Sequence, residues 1–402
     1  MCQVVLWWAP AVSTSGSALH RLMFARGPGS PEPAESARVP ADSVVANQLS
    51  SWPGPASDVI SVEPVSFEHS ARTTWSPAST PAGDLAAAHF DRELDHDWRR
   101  TSYSALTAAA HDSPGVTSEA ENPETIDEPA EAPPIDDVLP GIASPMNGLP
   151  AGAAFGTLVH EVLEVVETAT GDLAAELSLR CRDAVEARLA DLDPDALAGA
   201  LLPVMQTPLA SAGVSLAEIA DADRLAELDF ELPLAGGDDP VSDTVTVRRI
   251  ATLLRTHLAA DDPLVDYADQ LDRLEPVALR GFLTGSIDAV LRLPGPRFVV
   301  VDYKTNRLGT GNLTVEHYTR DRMAAEMSRA HYPLQALLYA VALHRYLRWR
   351  LPDYDPATHS GGVAYLFVRG MVGPSTPSGC GVFDWHPPAA LVTALSDLLA
   401  GS

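Results

Sequence analysis

Residues 281–306 read GFLTGSIDAVLRLPGPRFVVVDYKTN, and this stretch decides the fold. Two apolar runs, residues 281–293 and 297–303, lie on either side of Pro294-Gly295-Pro296. Apolar runs of this length joined by a tight proline-glycine connection are typical of a β-hairpin. The stretch therefore predicts two neighbouring antiparallel strands.

Three residues on this hairpin have the chemistry of a hydrolytic site: Asp288 on the first strand, and Asp302 and Lys304 on the second. Alternation along a strand places Asp302 and Lys304 on one face, with Tyr303 turned the other way and its carbonyl free to face a metal ion. The short connection brings Asp288 beside Asp302. Phosphodiester hydrolysis needs carboxylates that hold a cation and a positive group near the attacking water. The hairpin therefore predicts a site for Mg²⁺, which prefers oxygen ligands.

The same residues also have a purely structural interpretation. An aspartate at a strand end is usually a turn or capping residue, and the pattern Asp-x-Lys occurs by chance in many proteins. Two observations favour the catalytic hypothesis. Two carboxylates would be costly to bury without a cation, and Lys304 is the only lysine in a chain with 27 Lys and Arg residues.

His160 is a further candidate metal ligand. It lies in residues 154–168, where apolar residues recur at helical spacing. Glu161 and Glu164 are placed to orient its imidazole, although a lone histidine on a helix is more often structural. The sequence leaves both interpretations open.

Three residues of a predicted helix at 320–350 are candidates for contact with DNA. Gln335 and Tyr339 are four residues apart and so project from one face. They either bind a DNA phosphate, shape the site or form a polar surface patch. Arg345, near the end of the helix, suits backbone phosphates and equally suits the helix dipole.

The remaining pattern predicts an α/β protein. Helices are predicted at residues 154–168, 174–201, 216–228, 245–258, 263–274 and 388–400, and the helix at 320–350 is interrupted at Pro333. Further strands are predicted at 228–232 and 362–368. Strand, hairpin, helix, strand and helix in this order are typical of layers of helix on a sheet.

Charge is distributed unevenly along the chain. The formal net charge of −27 argues against nucleic acid as a partner, because phosphates are held by positive surfaces. However, residues 113–140 contain eight acidic and no basic residues, whereas residues 280–350 contain eleven basic and five acidic ones. The first segment is predicted to be a flexible linker, and the second is basic enough for DNA. Residues 1–82 show no sustained apolar period, so little autonomous fold is expected there.

Cysteine usage and hydropathy indicate a cytoplasmic protein. Cys2, Cys181 and Cys380 are odd in number and far apart, which fits a reducing compartment and excludes a cysteine-rich zinc site. The chain has no run of about 18 apolar residues, and its start lacks the features of a signal peptide. No membrane partner is expected.

Five strings give the chain a family resemblance: FGTLVH at 155–160, GFLTGSID at 281–288, VDYKTN at 301–306, YPLQALLY at 332–339 and GGVAYLFVR at 361–369. From about Leu149 to the end, the chain resembles the beta subunit of exodeoxyribonuclease V (the RecB family), the helicase-nuclease of double-strand break repair. The resemblance implies a PD-(D/E)xK, restriction-endonuclease-like mixed sheet flanked by helices over residues 149–402. Weaker strings at residues 4–10 and 98–104 resemble the end of the family's helicase part. They imply a poorly ordered helicase remnant over residues 1–112, before the linker.

The resemblance also implies roles for individual residues. It implies that one or two Mg²⁺ ions are held by His160, Asp288, Asp302 and the carbonyl of Tyr303. Lys304 would position or activate water and stabilise the charge on phosphorus, and Gln335 and Tyr339 match the family's Q-x-x-x-Y helix. DNA and the gamma and alpha subunits of exodeoxyribonuclease V are the partners that it implies.

The chain departs from the family in one respect. It has no G-x-x-x-x-G-K-[ST] phosphate loop. Such a loop needs a lysine, and the only lysine, Lys304, lies outside any string of this pattern. No ATPase site is expected, and the helicase is either a separate chain or lost. Three hypotheses remain: an exonuclease domain acting on strands from a helicase, a catalytically silent docking module for the gamma and alpha subunits, and a stand-alone PD-(D/E)xK nuclease.

Overall fold

The computed structural model describes residues 17–26, 33–34, 36–38, 40–51, 62, 98–107, 139–209, 212–235, 245–274 and 278–401. The chain forms two compact units, residues 1–91 and 92–402. In the first unit, the described residues form helices α1 (Ala18–Phe24) and α2 (Asp42–Ser51). The acidic linker predicted at 113–140 lies, except for its last two residues, outside the described residues.

The second unit is built on a mixed sheet. The strands of this unit are β1 (Arg99–Thr101), β2 (Pro208–Leu209), β3 (Val214–Ser215), β4 (Arg224–Pro233), β5 (Gly281–Leu293), β6 (Arg297–Lys304), β7 (Ser360–Phe367) and β8 (Val382–Trp385). The main sheet has the order β1-β5-β6-β7-β8, and β4 also pairs with β5. Strands β2 and β3 form a separate two-stranded ribbon. The hairpin predicted from residues 281–303 is therefore confirmed as β5 and β6.

Helices cover both faces of the main sheet. They are α3 (Tyr103–Thr107), α4 (Ala153–Val165), α5 (Leu173–Arg188), α6 (Pro194–Gln206), α7 (Val247–His257), α8 (Tyr267–Leu271), α9 (Arg320–Arg329), α10 (Tyr332–Arg350), α11 (Pro356–His359) and α12 (Ala389–Ala400). Helices α4 to α6 share one apolar core with the sheet, and α7, α8, α10 and α12 share the other. The predicted α/β fold, a mixed sheet flanked by helices, is confirmed.

The pairing directions explain the connections. Strand β5 is antiparallel to β4 and β6, whereas β6 is parallel to β7. A parallel pair needs a long crossover, and α9 and α10 supply it. Of the 19 residues of α10, 14 are buried, because the helix packs between the sheet and α12. No helix in the described parts of the chain is long and apolar enough to cross a membrane.

Two predicted helices differ from the structure. The helix predicted at 174–201 is two helices, α5 and α6, because Leu189 ends α5 in a left-handed conformation with φ of 50°. The helix predicted at 216–228 is wrong: 3₁₀ turns at Leu216–Glu218 and Asp221–Asp223 lead into β4, because the residues from Arg224 onward pair with β5. The interruption predicted at Pro333 is confirmed as a break between α9 and α10. His331 adopts a left-handed conformation with φ of 59°, and Pro333 lies in the first turn of α10, where it costs no hydrogen bond.

The second compact unit begins well before residue 149, where the nuclease domain was predicted to start. Strand β1 pairs in parallel with the beginning of β5, with Arg99 opposite Gly281. Gly281 has φ of +94°, and a Cβ atom there would lie 2.3 Å from the carbonyl oxygen of Arg99, so glycine permits this approach. Residues 98–107, predicted as helicase remnant, thus add a strand to the sheet. The helicase origin of residues 1–112 and the limits predicted for the linker and the nuclease domain stay predictions.

Candidate functional site

The β5-β6 hairpin opens at its far end. The ladder between the two strands runs from Leu293 opposite Arg297 to Ala289 opposite Val301 and then stops. Beyond that point β6 continues along β7 alone, while β5 runs on beside β4 and then β1. A gap therefore lies between the diverging strands, and its margins carry the predicted acids.

Asp288 lies at the edge of β5 beside this gap. Its Oδ2 accepts a hydrogen bond of 2.7 Å from the main-chain N–H of Tyr303, so the carboxylate takes the place of a missing strand partner. Its Oδ1 lies 3.6 Å from Nδ1 of His160. The side chain is 19% exposed, which makes it more accessible than the other predicted acid, Asp302.

Asp302 and Lys304 form a buried ion pair. Oδ2 of Asp302 lies 2.8 Å from Nζ of Lys304, and both side chains are at most 3% exposed. Burial raises the pKa of Asp302 from 3.8 to about 7; the Lys304 charge opposes this shift, and the charge of Asp288 adds to it. The predicted alternation along β6 is confirmed, because Tyr303 packs into the core that α4 shares, on the other face.

Helix α4 brings His160 to the same gap. Its Nε2 lies 2.8 Å from the carbonyl oxygen of Tyr303. The prediction that Glu161 and Glu164 orient the imidazole is wrong: Glu161 accepts a hydrogen bond from Arg188 at 2.5 Å, and Glu164 is bonded to Glu227. The imidazole lies between Asp288 and the Tyr303 carbonyl instead.

The atoms around the gap suit a hard divalent cation. Carboxylate oxygens, a main-chain carbonyl and an imidazole are compatible with Mg²⁺, which completes its shell with water. Neighbouring ligand atoms of an octahedral Mg²⁺ site are about 3 Å apart, close to the separation of His160 Nε2 and the Tyr303 oxygen. Within the described residues, no three His, Cys, Asp or Glu side chains are gathered as a preformed metal cluster. The predicted set fits an ion only with the carbonyl and water included.

Comparison with known proteins agrees with this geometry. Residues 145–378 match the family model of the PD-(D/E)XK nuclease superfamily. The chain belongs to the PD-(D/E)XK nuclease superfamily. The matched residues include the hairpin, α4, α10 and β7, and so contain every predicted site residue.

The relatives of this superfamily member include subunits of a larger enzyme. The chain is 46% identical to the RecBCD enzyme subunit RecB of Mycolicibacterium smegmatis, over 99% of this chain and 37% of that protein. It is 44% identical to RecB of Mycobacterium tuberculosis, with the same coverage, and 31% identical to RecB of Escherichia coli, over 81% of this chain and 25% of that protein. The resemblance to the RecB family is confirmed. The chain spans between a quarter and little more than a third of the length of these relatives.

Gln335 and Tyr339, the Q-x-x-x-Y pair, are buried in the PD-(D/E)XK domain. Gln335 donates to the Tyr339 hydroxyl at 3.1 Å, and its Oε1 accepts from the Tyr365 hydroxyl at 3.0 Å. They share one helical face, as predicted. Their exposures of 1% and 3% exclude the surface patch and favour a role in shaping the site.

Arg345 lies about 15 Å along α10 from Gln335, since each residue adds 1.5 Å to a helix. Its guanidinium donates to the hydroxyl and carbonyl of Ser396 and to the carbonyl of Pro233. These bonds join α10 to α12 and β4. The structure does not bring Arg345 to the gap, and the DNA contact predicted for it stays untested.

Glu164 and Glu227 form an acid pair beside Asp288 that was not predicted from the sequence. Glu227 lies opposite Asp288 in β4 and has φ of 48°, an unusual conformation for this residue type. Burial, with the hydrogen bond and charge of Glu227, raises the pKa of Glu164 from 4.5 to about 7. Strained residues concentrate at functional sites of proteins. No helical or strand period marks either glutamate, because their contact depends on the packing of α4 on β4.

Arg369 was also missed as a support of the site. It is fully buried, and it donates to the carbonyl oxygens of Thr305 at 2.8 Å and Met146 at 3.0 Å, and also to that of Pro150. The guanidinium lies over the ring of Phe155 in α4. It thereby ties the strand that carries Lys304 to the helix that carries His160.

Proposed function

We propose that this chain is a magnesium-dependent deoxyribonuclease, the nuclease part of a RecBCD-type helicase-nuclease that acts in double-strand break repair and recombination. One observation carries the proposal: two carboxylates, an imidazole and the only lysine meet at the opening of one hairpin. Membership of the PD-(D/E)XK superfamily and similarity to RecB subunits support it.

Each residue at the gap has a proposed role. One or two Mg²⁺ ions would be held by Asp288, Asp302, His160 and the Tyr303 carbonyl. When bound, the metal would neutralise charge on the phosphate and supply an activated water. The Lys304 ammonium would hold the attacking water and stabilise negative charge developing on the phosphate oxygens. Asp302 would keep that ammonium in place across their 2.8 Å contact.

The partners follow from the same hypothesis. We propose DNA as the substrate, with strands delivered by a helicase, and the gamma and alpha subunits of exodeoxyribonuclease V as protein partners. The cytoplasm is the proposed location. Because these 402 residues contain no phosphate-binding loop of the G-x-x-x-x-G-K-[ST] type, we assign no ATPase activity to them.

Cleavage of linear DNA by the purified 402-residue chain tests the proposal. We expect degradation with Mg²⁺ and none with a chelator. Asp302→Ala and Lys304→Ala should abolish cleavage while the melting temperature shows a folded protein. Arg350→Ala, on the exposed end of α10, is the matched control and should cut normally. Intact cleavage by the two site variants would refute the assignment.

The second candidate is a catalytically silent docking module of the same complex. The lack of a preformed three-side-chain metal cluster among the described residues is the observation that favours it. Calorimetric titration with Mg²⁺ separates the candidates, because a docking module has no metal binding that depends on Asp288. A cleavage rate of the purified chain that does not change when the gamma and alpha subunits are added would instead support a stand-alone nuclease.

A further inference from the structure

Lys304 lies against two aromatic rings as well as against Asp302. Its Nζ is 4.2 Å from the centroid of the Tyr332 ring and 5.7 Å from that of Tyr365. The two rings are stacked, with centroids 5.8 Å apart and planes inclined by 21°. Both tyrosines are fully buried. The ammonium thus has a carboxylate and aromatic faces around it in a site with little water.

We propose that Tyr332 and Tyr365 are positioning residues that hold the Lys304 ammonium in place against Asp302. The proposal rests on the proposed function in that Lys304 is taken to act in cleavage. Neither tyrosine is assigned contact with substrate or metal. They act through Lys304 alone.

Electrostatics explains why aromatic rings suit this place. The Lys304 ammonium is buried, so it needs compensation for the water that it has lost. The negative face of an aromatic ring within about 6 Å supplies attraction without a second formal charge. A second carboxylate would bind Lys304 more tightly, but it would also neutralise the charge that the phosphate needs.

The rings are themselves fixed by hydrogen bonds. The Tyr332 hydroxyl bonds with the Asn306 side chain at 3.2–3.3 Å, and Asn306 also donates to Glu326 at 3.2 Å. The Tyr365 hydroxyl donates to Gln335, which in turn donates to Tyr339. Gln335 and Tyr339, the Q-x-x-x-Y pair, are therefore linked to Lys304 through the ring of Tyr365. Through this link, two buried side chains would influence the site without touching DNA.

The only lysine of the chain makes the test direct. In protein labelled with ¹³C-lysine, the ε-CH₂ group of Lys304 gives a single side-chain signal. Protons held over aromatic faces resonate upfield, so we expect this signal well upfield of that of free lysine. Tyr332→Leu, which removes the ring, should return it toward the free position. Tyr332→Phe keeps the ring and should keep the shift.

A matched control separates positioning from loss of stability. Tyr354→Leu removes a half-buried tyrosine that bonds with His344 toward the other end of α10. It should lower the melting temperature without moving the Lys304 signal or the cleavage rate. Tyr332→Leu should lower kcat roughly tenfold or more with little change in KM for DNA, and Tyr332→Phe should restore most of the rate.

The outcomes are distinguishable. A Lys304 signal at the free position in the wild-type protein, or one unmoved by Tyr332→Leu in a folded variant, would overturn the aromatic contact. A signal that behaves as expected, with equal kcat in the Leu and Phe variants, would overturn the positioning role. The signal could also behave as expected while the wild-type chain does not cut DNA. The proposed function would then fail, and with it the positioning role of Tyr332 and Tyr365. The contact between Lys304 and the rings would still be confirmed.

Discussion

The main-chain N–H of Tyr303 donates a 2.7 Å hydrogen bond to the carboxylate of Asp288, at the point where β5 and β6 part. One acid therefore satisfies the backbone of the strand that carries Asp302 and Lys304, and still presents its other oxygen to the gap. This arrangement links the local structure of the hairpin to its proposed chemistry, because the same carboxylate holds the strand and is proposed to hold the metal.

Asp288→Asn separates these two tasks. The amide oxygen still accepts from the Tyr303 N–H, so we expect the free energy of unfolding to stay within about 1 kcal/mol of wild type. The loss of charge should weaken Mg²⁺ binding roughly tenfold or more. Urea denaturation and calorimetric titration measure the two effects. Unchanged Mg²⁺ affinity in the variant would count against Asp288 as a ligand.

Glu164 should make stability depend on pH. Its pKa is raised from 4.5 to about 7, mainly by burial and by Glu227, so the folded protein binds a proton more tightly than the unfolded chain. The contribution of this group to the free energy of unfolding therefore falls as the pH rises from about 4.5 to about 7. Glu164→Gln removes the dependence. Urea denaturation across this interval should show wild type losing stability against the variant, and parallel curves would contradict the shift.

Lys304→Arg should not be conservative. The guanidinium is larger than the ammonium that fits between Asp302 and the ring of Tyr332, and its charge is spread over a plane. We expect the cleavage rate to fall on the order of 10²- to 10³-fold, as when a transition-state donor is removed. Single-turnover cleavage measures it. An arginine variant with nearly wild-type rate would show that position 304 needs only a positive charge.

Arg369→Met should destabilise the domain. The change leaves the carbonyl oxygens of Thr305, Met146 and Pro150 without their donor, which costs on the order of 2–4 kcal/mol. Arg350→Met, at the exposed end of α10, is the control and should stay within about 0.5 kcal/mol of wild type. Chemical denaturation compares the two. Equal stability of both variants would mean that the buried guanidinium contributes little.

The hairpin and the placement of Asp288, Asp302 and Lys304 on it were predictable because their signals are local. Alternation, a Pro-Gly-Pro connection and the positions of Asp288, Asp302 and Lys304 all lie within 26 consecutive residues. The segment at 216–228 shows the limit: its composition favours a helix, yet pairing with β5 makes its end a strand. In this segment, pairing with β5 outweighs the local helix propensity.

Contacts between distant segments were not predictable. Glu227 meets Glu164 only because α4 packs near β4, and Tyr365 lies near Lys304 only because β7 pairs in parallel with β6. Arg345 shows another limit: an arginine near a helix end suggests phosphate binding, and the sequence did not indicate that its guanidinium bonds to Ser396 and Pro233. A charged residue in sequence does not reveal whether its charge is already in use.

The position of a bound metal ion would show directly whether the gap between β5 and β6 is a metal site. Crystals of the chain grown with Mn²⁺, in place of Mg²⁺, would locate the ion through its anomalous scattering. We expect a peak in the gap between β5 and β6, within bonding distance of Asp288, Asp302 and the Tyr303 carbonyl. No peak there at saturating Mn²⁺, or a peak held by other residues alone, would contradict it.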